Sequence, residues 1–133
     1  LLLAGETIAE TQPLFETIGG DLIAECKRYS REATDAWEKA PSDASVMLSY
    51  DTVTTLDYLR EQVSDVTIHS WDMARATGSD EHLDDELVEA TWTILEPQRA
   101  TLAATGLFND PIELDENAPL QLRLLAITGR DAR

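Results

Sequence analysis

The stretch between Asp51 and Gly78 constrains the fold more than any other part of the sequence. No proline or glycine interrupts it, and its apolar residues recur at spacings of three and four. That period is the period of an α-helix with one face turned toward a core. Asp51 or Thr54 stands where an N-cap is needed, and Gly78 stands where the chain has to leave the helix. A helix of this length cannot bury its apolar stripe alone, so the remaining elements have to cover it.

The flanking sequence supplies further helices. Residues 1–5 read as the tail of an earlier helix, and Gly5 to Gly20, with Pro13 inside, as a connector. Asp21 is a plausible N-cap for a helix ending near Lys39, with Leu22, Cys26, Tyr29, Ala33 and Trp37 on one face. Cys26 on that stripe is expected to be a buried structural thiol. After the turn at Ala40-Pro41-Ser42-Asp43, the short apolar run Val46 to Tyr50 suggests an extended segment ahead of the long helix. Asp84 caps the next helix, and Asp85 and Glu86 follow where the helix dipole favours acids. That helix is expected to run to Ala104, kinked at Pro97, with Gly106 beyond. A last short helix spans about Pro119 to Thr128 and closes at Gly129. The expected class is all-α, with a possible short β segment before the long helix, and 133 residues suit a single domain over 1–133. Only eight aromatic residues, three Trp, three Tyr and two Phe, argue against a large all-β core.

Charge excludes some partners. Twenty-six Asp and Glu face ten Lys and Arg, a net −16. Nucleic-acid affinity rests on basic side chains neutralising phosphates, so no nucleic acid is expected as a partner. An anionic membrane surface is disfavoured for the same reason, and no apolar run approaches a membrane span. One cysteine rules out an internal disulfide, and a cytoplasmic location is expected.

Chemistry enters at Asp65 and His69. At roughly 100° per residue, Leu56, Leu59, Val63, Val66 and Ala74 form the apolar face of the long helix, while Asp57, Glu61, Ser64, Asp72 and Arg75 fall opposite. Asp65 and His69 lie on the shoulder between, in line with Tyr58, Gln62 and Ala76, and are expected to point into a partly buried groove. Residues four apart on a helix are neighbours, with Cβ atoms about 5–6 Å apart. A buried carboxylate needs compensation. Two kinds are open: a divalent cation shared by both side chains, or a hydrogen bond from the histidine. A mixed imidazole and carboxylate set suits zinc, nickel, iron or manganese better than calcium or magnesium.

The residues after the pair carry a resemblance. Asp65-Val66-Thr67-Ile68-His69-Ser70-Trp71-Asp72-Met73-Ala74-Arg75-Ala76-Thr77-Gly78 resembles the D-x-x-x-H-x-W-D-L-A-R-A-T-G signature of actinobacterial proteins related to the mycothiol-dependent maleylpyruvate isomerases, within the DinB-like superfamily. Arg123 to Asp131 resembles the R-L-L-A-x-x-G-R-D ending of the same group, and the LDDELVEA run at 83–90 and Pro97 fit its pattern. The resemblance implies a four-helix bundle with a divalent metal in its core, zinc first among the candidates, and the small thiol mycothiol as co-substrate. It maps two of three metal ligands onto Asp65 and His69. The third, a histidine, is expected upstream of Leu1, on a piece this sequence lacks. Asp65 replaces the glutamate of the characterised isomerases. The reaction implied is thiol transfer to, or isomerisation of, a small electrophile.

Other residues enter around that pair. Tyr58 and Gln62 are expected to line the pocket. Trp71 is expected to pack against the kinked helix or the C-terminal segment. Asp72 and Arg75 are spaced to pair on the outer face, and a sharper role for Arg75 is contact with a substrate carboxylate. Arg130 is a candidate for meeting an anionic substrate at the site mouth. His82 is expected at the surface, and Cys26 is not the nucleophile. The alternative function is a non-catalytic helical bundle, with or without metal, used for binding or dimerisation. A missing helix is expected to leave an apolar seam and favour pairing with a second copy.

Overall fold

The structure is a computed structural model and describes residues 3, 5–7, 9 and 20–133. The expectations for the first helix tail and the connector up to Gly20 lie almost wholly outside these residues. The described residues form four α-helices, α1 (Leu22–Lys39), α2 (Thr55–Thr77), α3 (Asp85–Leu95) and α4 (Leu120–Ile127), with one two-stranded sheet between α1 and α2. The protein is mainly helical, with its short β segment directly before the longest helix. The chain divides into two compact units, Leu1–Leu59 and Arg60–Arg133, and the division falls within α2.

In the first unit, the Asp21 carboxylate accepts from the amides of Ile23 and Ala24, both at 3.1 Å, and starts α1 as its sequence indicates. The helix ends at Lys39, and Pro41 follows. None of its residues is buried, and Cys26 is exposed, so the expected structural thiol is corrected. Trp37, at the end of the α1 stripe, packs against Tyr58. Its ring centroid lies 5.2 Å from that of Tyr58.

The extended segment is a hairpin. Strand β1 (Ser45–Met47) pairs antiparallel with β2 (Thr52–Thr54), with Val46 opposite Val53. The Leu48 amide donates to the Asp51 carbonyl at 2.8 Å and closes the turn. Val46 is fully buried. The second strand takes residues that the helical period claims from Asp51 onward. Thr-Val-Thr is β-branched and pairs well on a pleated surface. The helix then starts at Thr55 with a reciprocal cap. The Thr54 hydroxyl accepts from the Asp57 amide at 3.1 Å and donates to the Asp57 carboxylate at 2.7 Å.

Helix α2 ends as its glycine requires. Gly78 adopts φ +65°, its amide donates to Arg75 O, and the Ser79 amide donates to Ala74 O, which satisfies two carbonyls of the last turn.

The core of the second unit joins Ile68 and Trp71 of α2, Leu83 of the connector, Val88 and Leu95 of α3, Leu102, and Leu124, Leu125 and Ile127 of α4. Trp71 thus joins the helix and the C-terminal segment expected to receive it. The face that α2 buries here differs from the expected one. Ser64 and Thr67 are buried with Ile68 and Trp71, while Val66 and Met73 stay exposed. The larger side chains decide this rotation. An indole and an isoleucine bury more area than valines can, so the helix turns them inward and carries Ser64 and Thr67 along. The cost is visible: among the described residues, Ser64 Oγ and Trp71 Nε1 are buried without a hydrogen-bond partner, as is Thr91 Oγ1 on the facing part of the core.

Helix α3 starts at Asp84, whose carboxylate accepts from the amides of Glu86 and Leu87. It ends at Leu95, earlier than the expected Ala104. Pro97 stops the helix instead of kinking it. Its ring removes a donor and crowds the carbonyl four residues back, and the chain continues as short 3-10 turns at Glu96–Gln98 and Ala103–Thr105. The Gln121 amide stitches the connector to α4, accepting from the Leu83 amide at 2.9 Å and donating to Glu81 O at 2.8 Å. The chain leaves α4 through Gly129, at φ +76°.

Candidate metal-binding face of the long helix

The second unit places Asp65, His69 and Asp72 on successive turns of α2. His69 Nε2 lies 3.3 Å from Asp65 Oδ1, and His69 Nδ1 lies 2.9 Å from Asp72 Oδ2. The expected groove is absent around the first pair among the described residues. The side chains of His69 and Asp65 are 61% and 63% exposed. The physical reason is the rotation set by Trp71 and Ile68, which turns this shoulder of the helix outward.

Asp72 is better held than either. Arg130 grips it with two donors, Nε to Oδ1 and Nη2 to Oδ2, both at 2.7 Å. Its third donor, Nη1, reaches Thr128 O at 3.2 Å. Parallel paired bonds of this kind are among the strongest a guanidinium makes. They hold the Asp72 carboxyl below the usual carboxylate range, with the Arg130 hydrogen bonds as the leading cause and His69 contributing. The arginine side chain is only 18% exposed, which limits screening by water.

The expected Asp72–Arg75 pair is therefore replaced. Arg75 turns to Glu81, with Nε and Nη2 at 3.0 and 2.8 Å from its two oxygens, and donates from Nη1 to Asp131 O. Its guanidinium also lies 4.7 Å from the centroid of the Trp71 ring. Both arginines considered for an anionic substrate are engaged with carboxylates of the chain itself. Tyr58 packs on Trp37 in the first unit. Gln62 is half-buried, three residues before Asp65. His82 is exposed in the acidic connector, as expected, with its amide donating to the Asp80 carboxylate at 3.0 Å.

Sequence reasoning misses the Asp72–Arg130 contact. The partners are 58 residues apart, and no local period connects them. The one signal that could have found it is that each lies in one of the two stretches carrying the family resemblance.

The donor set suits a borderline divalent cation, but as two ligands rather than a full set. Among the described residues, no group of three or more His, Cys, Asp or Glu side chains could hold a metal ion. The short contacts define what the pair can hold. A carboxylate only accepts, so the 2.9 Å contact to Asp72 requires the proton on Nδ1. A ring with one proton then presents a bare Nε2 to the Asp65 carboxylate. Two acceptors do not face each other at 3.3 Å unaided, and either a second ring proton or a metal ion bridges such a contact. A surface depression of about 420 Å³, lined by His82, Asp85, Glu89 and Gln121 among others, includes neither Asp65 nor His69.

No family model, no curated protein and no solved structure matches the chain. No helix among the described residues is long and apolar enough to cross a membrane.

Proposed function

We propose that this chain is a divalent-metal-dependent mycothiol transferase or isomerase-like protein, with Asp65 and His69 as two of its metal ligands. The resemblance to the maleylpyruvate isomerase-like, DinB-like bundles supplies the class. The observation that carries the reading is His69 Nε2 turned toward Asp65 Oδ1 while Nδ1 is tied to Asp72. Zinc suits this donor pair best, with nickel, manganese or iron as the other candidates. The third ligand comes from outside the described residues. A bound cation lowers the pKa of a thiol that it touches, which makes mycothiol a nucleophile toward a small electrophile at neutral pH. The chain's own part is to hold and orient: Asp65 offers oxygen, His69 offers Nε2, and the packed core behind Trp71 keeps the helix still. A cytoplasmic setting goes with a small-thiol chemistry and a single unpaired cysteine.

Zinc titration of the full chain by calorimetry tests this reading. Saturable binding that Asp65→Ala and His69→Ala each weaken at least roughly tenfold is the expected result. Equal binding by the wild type and the double variant would overturn it.

A second reading has its own observation. Both ligand candidates are more than half exposed, and Val66 and Met73 leave an apolar strip on the same helix. A non-catalytic binding or dimerisation module fits that surface. Thiol-transfer turnover with mycothiol and a panel of electrophiles separates the two. Turnover no higher than that of the Asp65→Ala, His69→Ala variant favours the module.

A further inference from the structure

We propose that Asp72 is a positioning residue for His69, and that Arg130 holds Asp72 in place so that the Nε2 lone pair of the imidazole faces Asp65. This assignment rests on the reading of Asp65 and His69 as cation ligands, and it names the device that would orient one of them.

The geometry decides between the two tautomers. An imidazolium donates to both carboxylate neighbours, whereas the neutral ring that a metal needs has one proton to place between them. If the proton sat on Nε2, it would serve the 3.3 Å contact with Asp65 and leave a bare Nδ1 against Asp72 at 2.9 Å. If it sits on Nδ1, the shorter contact becomes a hydrogen bond and the longer one is left for a cation. The shorter contact is also the one whose acceptor cannot move away. Asp72 Oδ2 receives Arg130 Nη2 at 2.7 Å as well as His69 Nδ1. The Asp65 carboxylate has no arginine of this kind on it among the described residues, and it can swing with its own side chain to meet a metal.

The anchor runs back into the core. Arg130 follows Thr128 and Gly129 at the end of α4, where Leu124 and Leu125 are fully buried. Its guanidinium bonds both Asp72 oxygens and the Thr128 carbonyl, so all three of its nitrogens are engaged with the fold. A planar fork matched to a carboxylate sets the orientation of that carboxylate, which a lysine ammonium does not do. The order of support is therefore α4, Arg130, Asp72, His69. A carboxylate on the far nitrogen of a ligating histidine fixes the ring and its tautomer and raises its basicity toward a metal.

The test uses the full chain labelled with ¹⁵N-histidine, studied by long-range ¹H–¹⁵N correlation at about pH 9, more than two units above the ordinary histidine value. His82, on the connector and outside this cluster, is the internal reference. Wild-type His69 is expected in the Nδ1–H form. Asp72→Ala is expected to return it toward the pattern of His82, and Arg130→Lys to give a mixture. An Nε2–H ring in the wild type, or an unchanged tautomer in a folded Asp72→Ala chain, would overturn the assignment. Zinc titration of the same samples gives the second readout. Asp72→Ala is expected to bind roughly 10–100-fold more weakly, and equal affinity overturns the proposal. A wild type that shows the Nδ1–H form but binds no zinc overturns the metal reading instead, and leaves the orienting contact as the finding.

Discussion

Gly129→Ala puts the packing behind the candidate site under direct test. Gly129 sits at φ +76°, and a Cβ added there would lie 2.5 Å from Asn109 Cβ and 2.9 Å from the Asn109 carbonyl carbon. Carbon atoms pack comfortably at about 3.5–4.0 Å, so the loop at Asn109 has to retreat by roughly 1 Å. Two costs add. An L-residue in the left-handed region costs roughly 1–2 kcal/mol. Forcing an extra methyl into a packed site costs about 1–3 kcal/mol. The expected loss is therefore roughly 2–5 kcal/mol. Gly78→Ala is the control. Gly78 has φ +65° and nothing within 4 Å of the place a Cβ would occupy, so the backbone cost stands alone there, about 1–2 kcal/mol. Urea unfolding followed by tryptophan fluorescence measures both, since Trp71 lies in the core and Trp92 packs against it. Equal losses for the two variants would refute the close approach of Asn109 to Gly129.

Two further outcomes follow from named contacts. Asp84→Ala removes an acceptor from two amides at the start of α3 and is expected to cost about 1 kcal/mol in the same assay, whereas Asp84→Asn, which can still cap, costs little. The Asp72 carboxyl is held below its ordinary value, so its stabilising contribution is present above the unfolded value of about 3.9 and is lost as pH falls through the folded one. Stability measured against pH should show the wild type and Asp72→Ala differing at neutral pH and converging in acid, well below about pH 4. Curves that stay parallel through that range would remove the Arg130–Asp72 pair from the account of stability.

Much of the local structure is legible in the sequence because local rules decide it. Asp21, Asp84 and the Thr54–Asp57 pair cap helices through oxygen atoms one turn from the amides they satisfy, and the Gly78 and Gly129 stops follow from the same short range. The hairpin is half legible. Val46 reads as extended, but Leu48-Ser49-Tyr50-Asp51 has no glycine or asparagine to announce a turn, and the helical period runs back past the start of α2 into the second strand. Pro97 is plain in the sequence, but the size of its effect is not. Whether a proline bends a helix or ends it depends on whether later residues gain enough packing to restart it, and here Leu102 joins the core from beyond the helix instead.

The sequence alone determined that the chain is mainly helical, strongly acidic, and carries a carboxylate and an imidazole one turn apart, because period, charge and i to i+4 spacing are properties of neighbours along the chain. Tertiary structure alone decided which way those two side chains face and what holds them. Rotation of α2 is set by the area that Trp71 and Ile68 bury against elements far away in sequence, and Asp72 receives its arginine from 58 residues downstream. A helical wheel records only angles, and the winning face is the one with the greater burial energy once every partner is in place.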